Sequence, residues 1–89
     1  MTYEVILSRA AKRALADDLP EPVAAACFAF VFGPLAEHPR RVGQPLRPPL
    51  EPLYSARRGE FRVIYEIDDA VIRVLVLKIQ HRRDAYRTP

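Results

Sequence analysis

Basic residues, arginine above all, dominate the last third of the chain. Eight of them follow position 56: Arg57, Arg58, Arg62, Arg73, Lys78, Arg82, Arg83 and Arg87. The planar guanidinium group donates paired hydrogen bonds that match a phosphate better than the point charge of a lysine does. His81 and Tyr86 lie among these cations and can move protons or stack on a nucleobase. Such a set suits cleavage of RNA, which needs a base for the 2′-hydroxyl, cations for the phosphorane charge and an acid for the leaving oxygen.

The charge balance by itself leaves two interpretations open. The formal net charge of the chain is only +3, but six of the eight late basic residues sit close to the ends of two predicted strands. An anionic partner, nucleic acid first, is one interpretation. The other is a solubilising surface in which these cations pair with Glu60, Glu66 and Asp84.

Other kinds of active site are excluded by residue type and spacing. One cysteine and two histidines lack the spacing of metal ligands, and three glycines form no phosphate-binding loop, so neither metal nor cofactor is expected. Ser55 lies in no nucleophile motif. The single Cys27 rules out an internal disulfide and fits a reducing compartment. Because the sequence shows no signal peptide and no apolar run of membrane length, it predicts a cytoplasmic protein without a membrane contact.

A predicted hairpin positions the late cations. Residues 61–67 and 71–79 are β-branched runs on either side of an acidic turn. In an antiparallel pair, the start of the first run opposes the end of the second, which places Arg62 near Lys78, Gln80 and His81. The group expected at this end of the sheet is Arg57, Arg58, Arg62, His81, Arg82 and Tyr86.

The rest of the chain predicts the elements that cover this hairpin. Residues 2–7 alternate as a strand, residues 9–18 form an alanine-rich helix, and a second helix starts at Pro22 and kinks or ends at Gly33 and Pro34. Five prolines between residues 38 and 52 predict an irregular loop, and residues 53–58 a further strand. The sum is one α+β domain over residues 1–89, with a two-helix hairpin packed on one face of a curved, mainly antiparallel sheet of about four strands.

Two segments carry a resemblance to a known family. They are Leu53-Tyr54-Ser55-Ala56-Arg57-Arg58-Gly59-Glu60-Phe61-Arg62-Val63-Ile64-Tyr65-Glu66-Ile67 and His81-Arg82-Arg83-Asp84-Ala85-Tyr86. Together they resemble the RelE family of type II toxin–antitoxin toxins, within the RelE/ParE superfamily, and the resemblance covers nearly the whole chain. It implies the RelE/ParE-like fold and a metal-independent endoribonuclease that cuts mRNA on the ribosome and so inhibits translation. It also implies a cognate antitoxin, RelB-like or Phd-like, through which alone the toxin reaches operator DNA.

The resemblance assigns roles residue by residue. Arg62 matches the strand arginine that stabilises the cleaved phosphate, and Arg82, or Arg83 if the alignment shifts, resembles the arginine that assists the leaving group. Tyr86 matches the tyrosine that stacks on a base and orients the 2′-hydroxyl, and His81 occupies a place where some members carry a catalytic histidine. The positions expected to bind RNA are Arg57, Arg58, Lys78, Arg83 and Arg47.

One departure from the family keeps other interpretations open. Leu53 and Ser55 stand where well-known members carry lysines, and arginines follow at Arg57 and Arg58 instead. The missing lysines leave open a degenerate module that only binds the antitoxin. The fold shared within the superfamily leaves open a ParE-like poison of DNA gyrase, because fold does not fix function. The tail from His81 to Tyr86 favours the nuclease over the gyrase poison.

Single residues also have alternative roles. Arg62 is able to form an ion pair with Glu60 or Glu66 instead of binding RNA. Tyr86 is able to pack on the core instead of stacking on a base. Arg57 and Arg58 are able to bind an acidic antitoxin segment.

Overall fold

The computed structural model describes residues 2–85 as five strands and three helices. In chain order they are β1 (Glu4–Leu7), α1 (Arg9–Arg13), α2 (Glu21–Phe30), β2 (Gln44–Pro45), β3 (Tyr54–Arg58), β4 (Phe61–Asp68), β5 (Arg73–His81) and α3 (Arg82–Ala85). A π-helical turn extends α1 over Ala14–Asp18, and another extends α2 over Val31–Leu35. The predicted α+β architecture, with a helical hairpin on one face of the sheet, is confirmed. Within residues 2–85, no helix is long and apolar enough to cross a bilayer.

The sheet has the strand order β1-β5-β4-β3-β2. β1 runs parallel to β5, and the other pairs are antiparallel. The prediction of about four strands was therefore one short, and residues 38–52 are not wholly irregular, because β2 pairs there with Tyr54 and Ser55. Prolines permit this strand because it lies at the edge of the sheet, where an outward-facing backbone position needs no N–H donor.

A β-bulge in the central hairpin keeps its apolar residues on one side. Ile64 opposes Lys78 and the next residue, Tyr65, opposes Val76, so Leu77 has no partner on β4. The extra residue shifts the alternation of β5 by one position. As a result Val76 and Ile79 both face the core, although their spacing in an unbroken strand would place them on opposite faces.

Ser8 fastens α1 to this bulge. Its Oγ accepts a hydrogen bond from the backbone N–H of Ala11 at 3.0 Å, which makes it the N-cap of α1. The same hydroxyl donates to the carbonyl oxygen of Leu77 at 2.7 Å, and the backbone N–H of Ser8 donates to the carbonyl oxygen of Val76 at 2.9 Å. The first helix is thereby fixed over the helix-facing side of the sheet.

The inner face of α2 and of the turn that extends it packs on the sheet. Cys27, Phe30, Val31 and Leu35 are buried against the sheet. Of the two outcomes predicted at Gly33 and Pro34, a kink or an end, the end is not observed, because the helical backbone continues to residue 37. The wider π-helical turn there accommodates a proline that has no N–H to donate.

An exposed ionic cluster joins three distant parts of the chain. The guanidinium group of Arg40 donates to both carboxylate oxygens of Asp69, at 3.0 and 2.5 Å, and the hydroxyl of Tyr3 donates to the same carboxylate at 2.8 Å. The bond from Arg40, followed by that from Tyr3, holds the pKa of Asp69 below its ordinary value. The cluster therefore favours the folded state only while Asp69 is ionised.

We expect this contribution to disappear in acid. Because the pKa of Asp69 is lower in the folded state, the stabilisation is fully present above the unfolded-state value of about 4 and is lost as the pH falls through the folded-state value. Urea unfolding of the wild type and of Arg40→Ala should therefore differ at pH 7 and converge near pH 2. A difference that persists at pH 2 would show that Arg40 stabilises the fold by another contact.

Candidate functional site

A groove of about 530 Å³ lies at the β2 edge of the sheet. It is enclosed by β3 and β4 on one side and by the segment that precedes and includes β2 on the other. Four of its ten lining residues are arginines and none is acidic. Residues 41–46 form one wall, and the strand side is formed by Ser55, Arg57, Arg58 and Arg62. A concave surface with this charge attracts anions, because opposing low-dielectric walls concentrate the potential of the cations.

The register of the strands explains which cations meet in this groove. Arg62 lies directly opposite Arg57 on β3 and directly opposite Gln80 on β5. Residues that face each other across antiparallel strands project from the same side of the sheet. Their neighbours Ala56, Val63 and Ile79 are buried on the helix-facing side, so this row projects from the open side. The predicted proximity of Arg62 to the end of β5 is confirmed.

Arg62 is the most informative residue of the row. Its side chain is half-buried, and its Nε atom is fully buried without a hydrogen-bond acceptor among the described residues. No salt bridge joins it to Glu60 or Glu66 in this part of the chain, so the structural alternative raised for it is not observed. A buried guanidinium donor without an acceptor is costly, and an anion in the groove would satisfy it.

The wall formed by residues 41–46 packs against Tyr65. This side chain is fully buried, and its hydroxyl donates to the carbonyl oxygen of Pro39 at 2.6 Å. Burial raises the pKa of Tyr65 to about 12, so the hydroxyl remains a donor throughout the physiological range. Gly43 passes so close to this hydroxyl and to the carbonyl oxygen of Ser55 that a Cβ would overlap both. The wall is thereby packed directly on the core.

Arg58 has a different role from its neighbour Arg57. Its guanidinium group lies 4.9 Å from the centroid of the Phe30 ring and donates to the carbonyl oxygens of Arg57 at 2.8 Å and Val42 at 3.1 Å. Strand alternation turns it toward the helix-facing side, away from Arg62. Arg58 therefore links α2 to the wall of the groove, and its N–H donors are partly occupied by protein carbonyls.

Replacing Arg58 should loosen that wall. Arg58→Ala loses an exposed cation–π contact and the bond to Val42, and we expect the free energy of unfolding to fall by about 1–2 kcal/mol. Hydrogen exchange should accelerate at the amides of residues 41–46. Arg13→Ala removes the same charge from an exposed position of α1 and should change neither measurement. Unchanged exchange in Arg58→Ala would mean that Arg58 does not hold the wall.

The residues at the end of β5 are placed close to the groove but are directed differently. His81 opposes Phe61, its side chain is only 12% exposed, and its Nε2 lies 3.6 Å from a carboxylate oxygen of Glu60. Its Nδ1 accepts the backbone N–H of Arg83 at 3.1 Å. One ring nitrogen therefore has a partner at the start of α3 and the other a partner in the turn between β3 and β4, on the side of the sheet that the helices cover.

The other predicted residues divide into three groups. Arg82 and Arg83 are exposed at the start of α3, where the backbone N–H of Arg82 donates to the carbonyl oxygen of Glu60. Lys78 is exposed one row beyond Arg62 on the open side, and Arg47 is exposed just after the groove-lining Leu46. Tyr86 lies outside the described residues.

Sequence reasoning missed the residues that build the wall. Arg41, Val42, Gly43 and Gln44 line the groove, yet they lie in a segment that the sequence predicts as an irregular loop. The available signal was Gly43 between β-compatible residues, because an isolated glycine in such a run often marks a close approach of two backbones. Its partner Tyr65 is distant in the sequence, so the contact itself could not be predicted from local pattern.

The chemistry of the groove is electrostatic. Its arginines remain protonated at any physiological pH, so they bind and stabilise negative charge but do not accept a proton. No lining residue titrates near neutrality, and Ser55 is the one side-chain hydroxyl among them. Within residues 2–85, no three His, Cys, Asp or Glu side chains lie together as a metal site. The described groove thus supplies charge stabilisation and positioning.

The family profile and the sequence relatives that match this chain belong to the same group of toxins. The sequence profile of the family described as "ParE toxin of type II toxin-antitoxin system, parDE" matches residues 5–86. Toxin RelE of Mycobacterium tuberculosis is 52% identical over 85 residues, covering 96% of this chain and 87% of that protein. Toxin RelG of the same organism is 45% identical over 87 residues, covering 98% and 99%.

Solved structures agree with the sequence relatives. The toxin–antitoxin complex RelBE2 from Mycobacterium tuberculosis contains a chain that superposes with a TM-score of 0.88 at 43% identity, covering 92% of this chain and all of that one. The archaeal RelE–RelB complex from Pyrococcus horikoshii gives a TM-score of 0.58 at 25% identity, covering 92% and 97%. In both cases the matched fold comes from a complex of a toxin with its antitoxin.

Proposed function

The chain belongs to the RelE/ParE superfamily of type II toxins, and from this premise we propose that it is an endoribonuclease that cleaves mRNA on the ribosome. As a type II toxin it is neutralised by a cognate antitoxin, which the relatives indicate to be RelB-like. The nuclease activity, its substrate and its ribosome dependence are the proposed part.

One observation carries the proposal. The groove collects four arginines and no carboxylate, and the buried Nε of Arg62 has no acceptor among the described residues. A phosphodiester supplies the missing acceptor together with the negative charge that the groove lacks. In the phosphorane transition state this charge increases, so the same donors bind the transition state more tightly than the substrate.

The proposed roles follow from position. Arg62 and Arg57 bind the scissile phosphate from the open side of the sheet, and Lys78 contacts the phosphate backbone beyond them. Arg82 or Arg83 stabilises the leaving oxygen from the start of α3, and Tyr86 stacks on a base and orients the 2′-hydroxyl. His81, whose ring nitrogens both face protein partners, supports the start of α3 in this scheme, so the rate enhancement depends on the cations.

A second candidate function has one observation in its favour. The family profile that matches residues 5–86 is named after ParE toxins. A ParE-like toxin would poison DNA gyrase without nuclease chemistry. Because one fold can carry both activities, the choice depends on the site. A gyrase poison needs no buried hydrogen-bond donor for a phosphate, such as the Nε of Arg62, and for this reason we prefer the nuclease.

A single induction experiment separates these candidates. The toxin is induced alone in a bacterial host, and mRNA 5′ ends are mapped after a short interval. We expect new ends inside translated codons that vanish when translation is blocked beforehand. Growth arrest with intact mRNA and a DNA-damage response would instead establish the gyrase poison. Absence of any arrest would overturn both and leave a module that only binds the antitoxin.

A further inference from the structure

The arginine groove also has an uncharged half. Six of its ten lining residues carry no charge, and two of these, Gln44 and Ser55, have side chains that donate and accept hydrogen bonds. Leu46 adds an apolar surface beside them. A neutral amide and a hydroxyl add little to the binding of a phosphate, for which the arginines supply charge-assisted bonds. The groove therefore offers two kinds of contact, one for a charged group and one for a neutral polar group.

The strand register places the uncharged half one row away from the phosphate donors. Gln44 lies directly opposite Ser55, and Arg57, two residues further along β3, lies directly opposite Arg62. Directly opposed residues, and residues two apart on one strand, project from the same side of a sheet. The two rows therefore share the open side and are about 7 Å apart along the strands. A ribose spans a comparable distance between the phosphate and the base of one nucleotide.

Side-chain amides are rare in this chain, and those present lie on the open side of the sheet. The sequence has no asparagine and two glutamines, Gln44 and Gln80. Gln80 lies in the row of the phosphate donors, directly opposite Arg62, and is not among the ten residues that line the groove. Gln44 does line it and is exposed, and residues 2–85 make no hydrogen bond to its side-chain amide. The donor and the acceptor of Gln44 are thus accessible to a ligand in the groove.

A nucleobase is the neutral polar group that accompanies a phosphate in RNA. Proteins read single-stranded RNA by hydrogen bonds to the Watson–Crick edges of its bases. Adenine and cytosine present an amino group beside a ring nitrogen that accepts, whereas guanine and uracil present a carbonyl oxygen beside a ring N–H that donates. An amide held in one orientation offers its donor and its acceptor in one order only. Such an amide pairs with one of these two classes of base and opposes the other.

We propose that Gln44 is a specificity-determining residue, whose amide reads the edge of the base that adjoins the scissile phosphate. The phosphate is bound by Arg57 and Arg62, the base lies against Leu46, and Ser55 lies beside the amide that reads it. A groove of about 530 Å³ is within the usual range of ligand pockets, about 300–1,000 Å³. This role rests on the proposed nuclease function, and it adds a source of sequence preference that lies in the toxin itself.

The test is the distribution of cut sites. Ribosomes are programmed with a library of messages varied at each codon position, and the cut ends are sequenced. At one nucleotide adjoining the cut, we expect the wild type to favour one of the two classes of base by about 10-fold, the discrimination of a bidentate base contact. Gln44→Met keeps the length of the side chain without its amide and should lose this preference, whereas Gln44→Asn should keep part of it. The matched control, Gln80→Met, removes the other amide and should leave the preference unchanged.

The possible outcomes distinguish the role of Gln44 from the function on which it rests. Cleavage by the wild type without a preference between the two classes of base would overturn this role and leave the nuclease intact. A preference that survives in Gln44→Met, or that is lost in Gln80→Met instead, would overturn it as well. Because Gln44 is exposed on an edge strand, Gln44→Met should unfold at the same urea concentration as the wild type, which excludes a loosened wall as the cause. No cleavage by the wild type would overturn the nuclease, and the reading of a base with it.

Discussion

Arg62→Ala should nearly abolish the toxicity of this protein while leaving its fold and its antitoxin complex intact. The residue lies on the open side of β4 between Arg57 and Gln80, and its buried Nε has no acceptor among residues 2–85 to lose. Removing one preorganised donor to a developing oxyanion typically costs 10²–10³-fold in rate. We therefore expect cleavage of ribosome-bound mRNA to slow by about 10²–10³-fold, measured on ribosomes programmed with a defined message.

Two companion variants make this prediction specific. Arg62→Lys keeps the charge but loses the planar fork, so it should recover part of the activity and not all of it. Arg73→Ala removes an arginine from the far end of the sheet, where it pairs with Glu4, and should cleave like the wild type. Because a buried Nε that finds no acceptor in the described part of the chain is a cost to folding, Arg62→Ala should be no less stable in urea than the wild type. Full toxicity in Arg62→Ala would remove Arg62 from the site.

Gly43→Ala should damage stability and activity together. The added methyl group would overlap the Tyr65 hydroxyl and lie 2.8 Å from the carbonyl oxygen of Ser55. Overpacking of this kind costs about 1–3 kcal/mol, and displacement of the wall also breaks the buried bond from Tyr65 to Pro39, worth about 1 kcal/mol. We expect the free energy of unfolding to fall by about 2–4 kcal/mol, a large share of the stability of a small domain.

The effect on activity follows from geometry. A wall displaced by about 1 Å misplaces the phosphate relative to Arg62, and such a displacement can cost about 100-fold in rate. Gly33→Ala is the matched control, because a Cβ there meets nothing within 4 Å, and it should preserve stability and cleavage. Urea unfolding and cleavage by the folded fraction are measured side by side. Wild-type behaviour of Gly43→Ala in both would mean that the wall is not packed as described.

The two predictions separate the contributions to this site. Arg62 supplies charge, and we expect its loss to affect the proposed reaction but not the fold. Gly43 represents shape, whose loss affects both, because the wall and the core meet at Tyr65. Arg58 lies between these cases, since its guanidinium joins the Phe30 ring to the wall and remains near the groove. An arginine count alone would assign Arg58 and Arg62 the same role.

The sequence by itself determined the central pairing and the elements other than β2 and α3. Alternation and turn residues are local properties, so β4, β5 and the position of Arg62 opposite the end of β5 follow from a hairpin between neighbouring segments. The family resemblance followed from the same segments. The buried face of α2 was also predictable, because its 3.6-residue period is a property of adjacent turns.

Only the tertiary structure decided how the site is enclosed. Alternation separates Arg57 from Arg58, but which side of the sheet stays open depends on where the helices pack. The groove wall arises because Pro39 and Gly43 meet Tyr65, more than twenty residues away, and because β2 adds to an edge that proline-rich sequence conceals. Such contacts depend on long-range packing, which no local period in the sequence encodes.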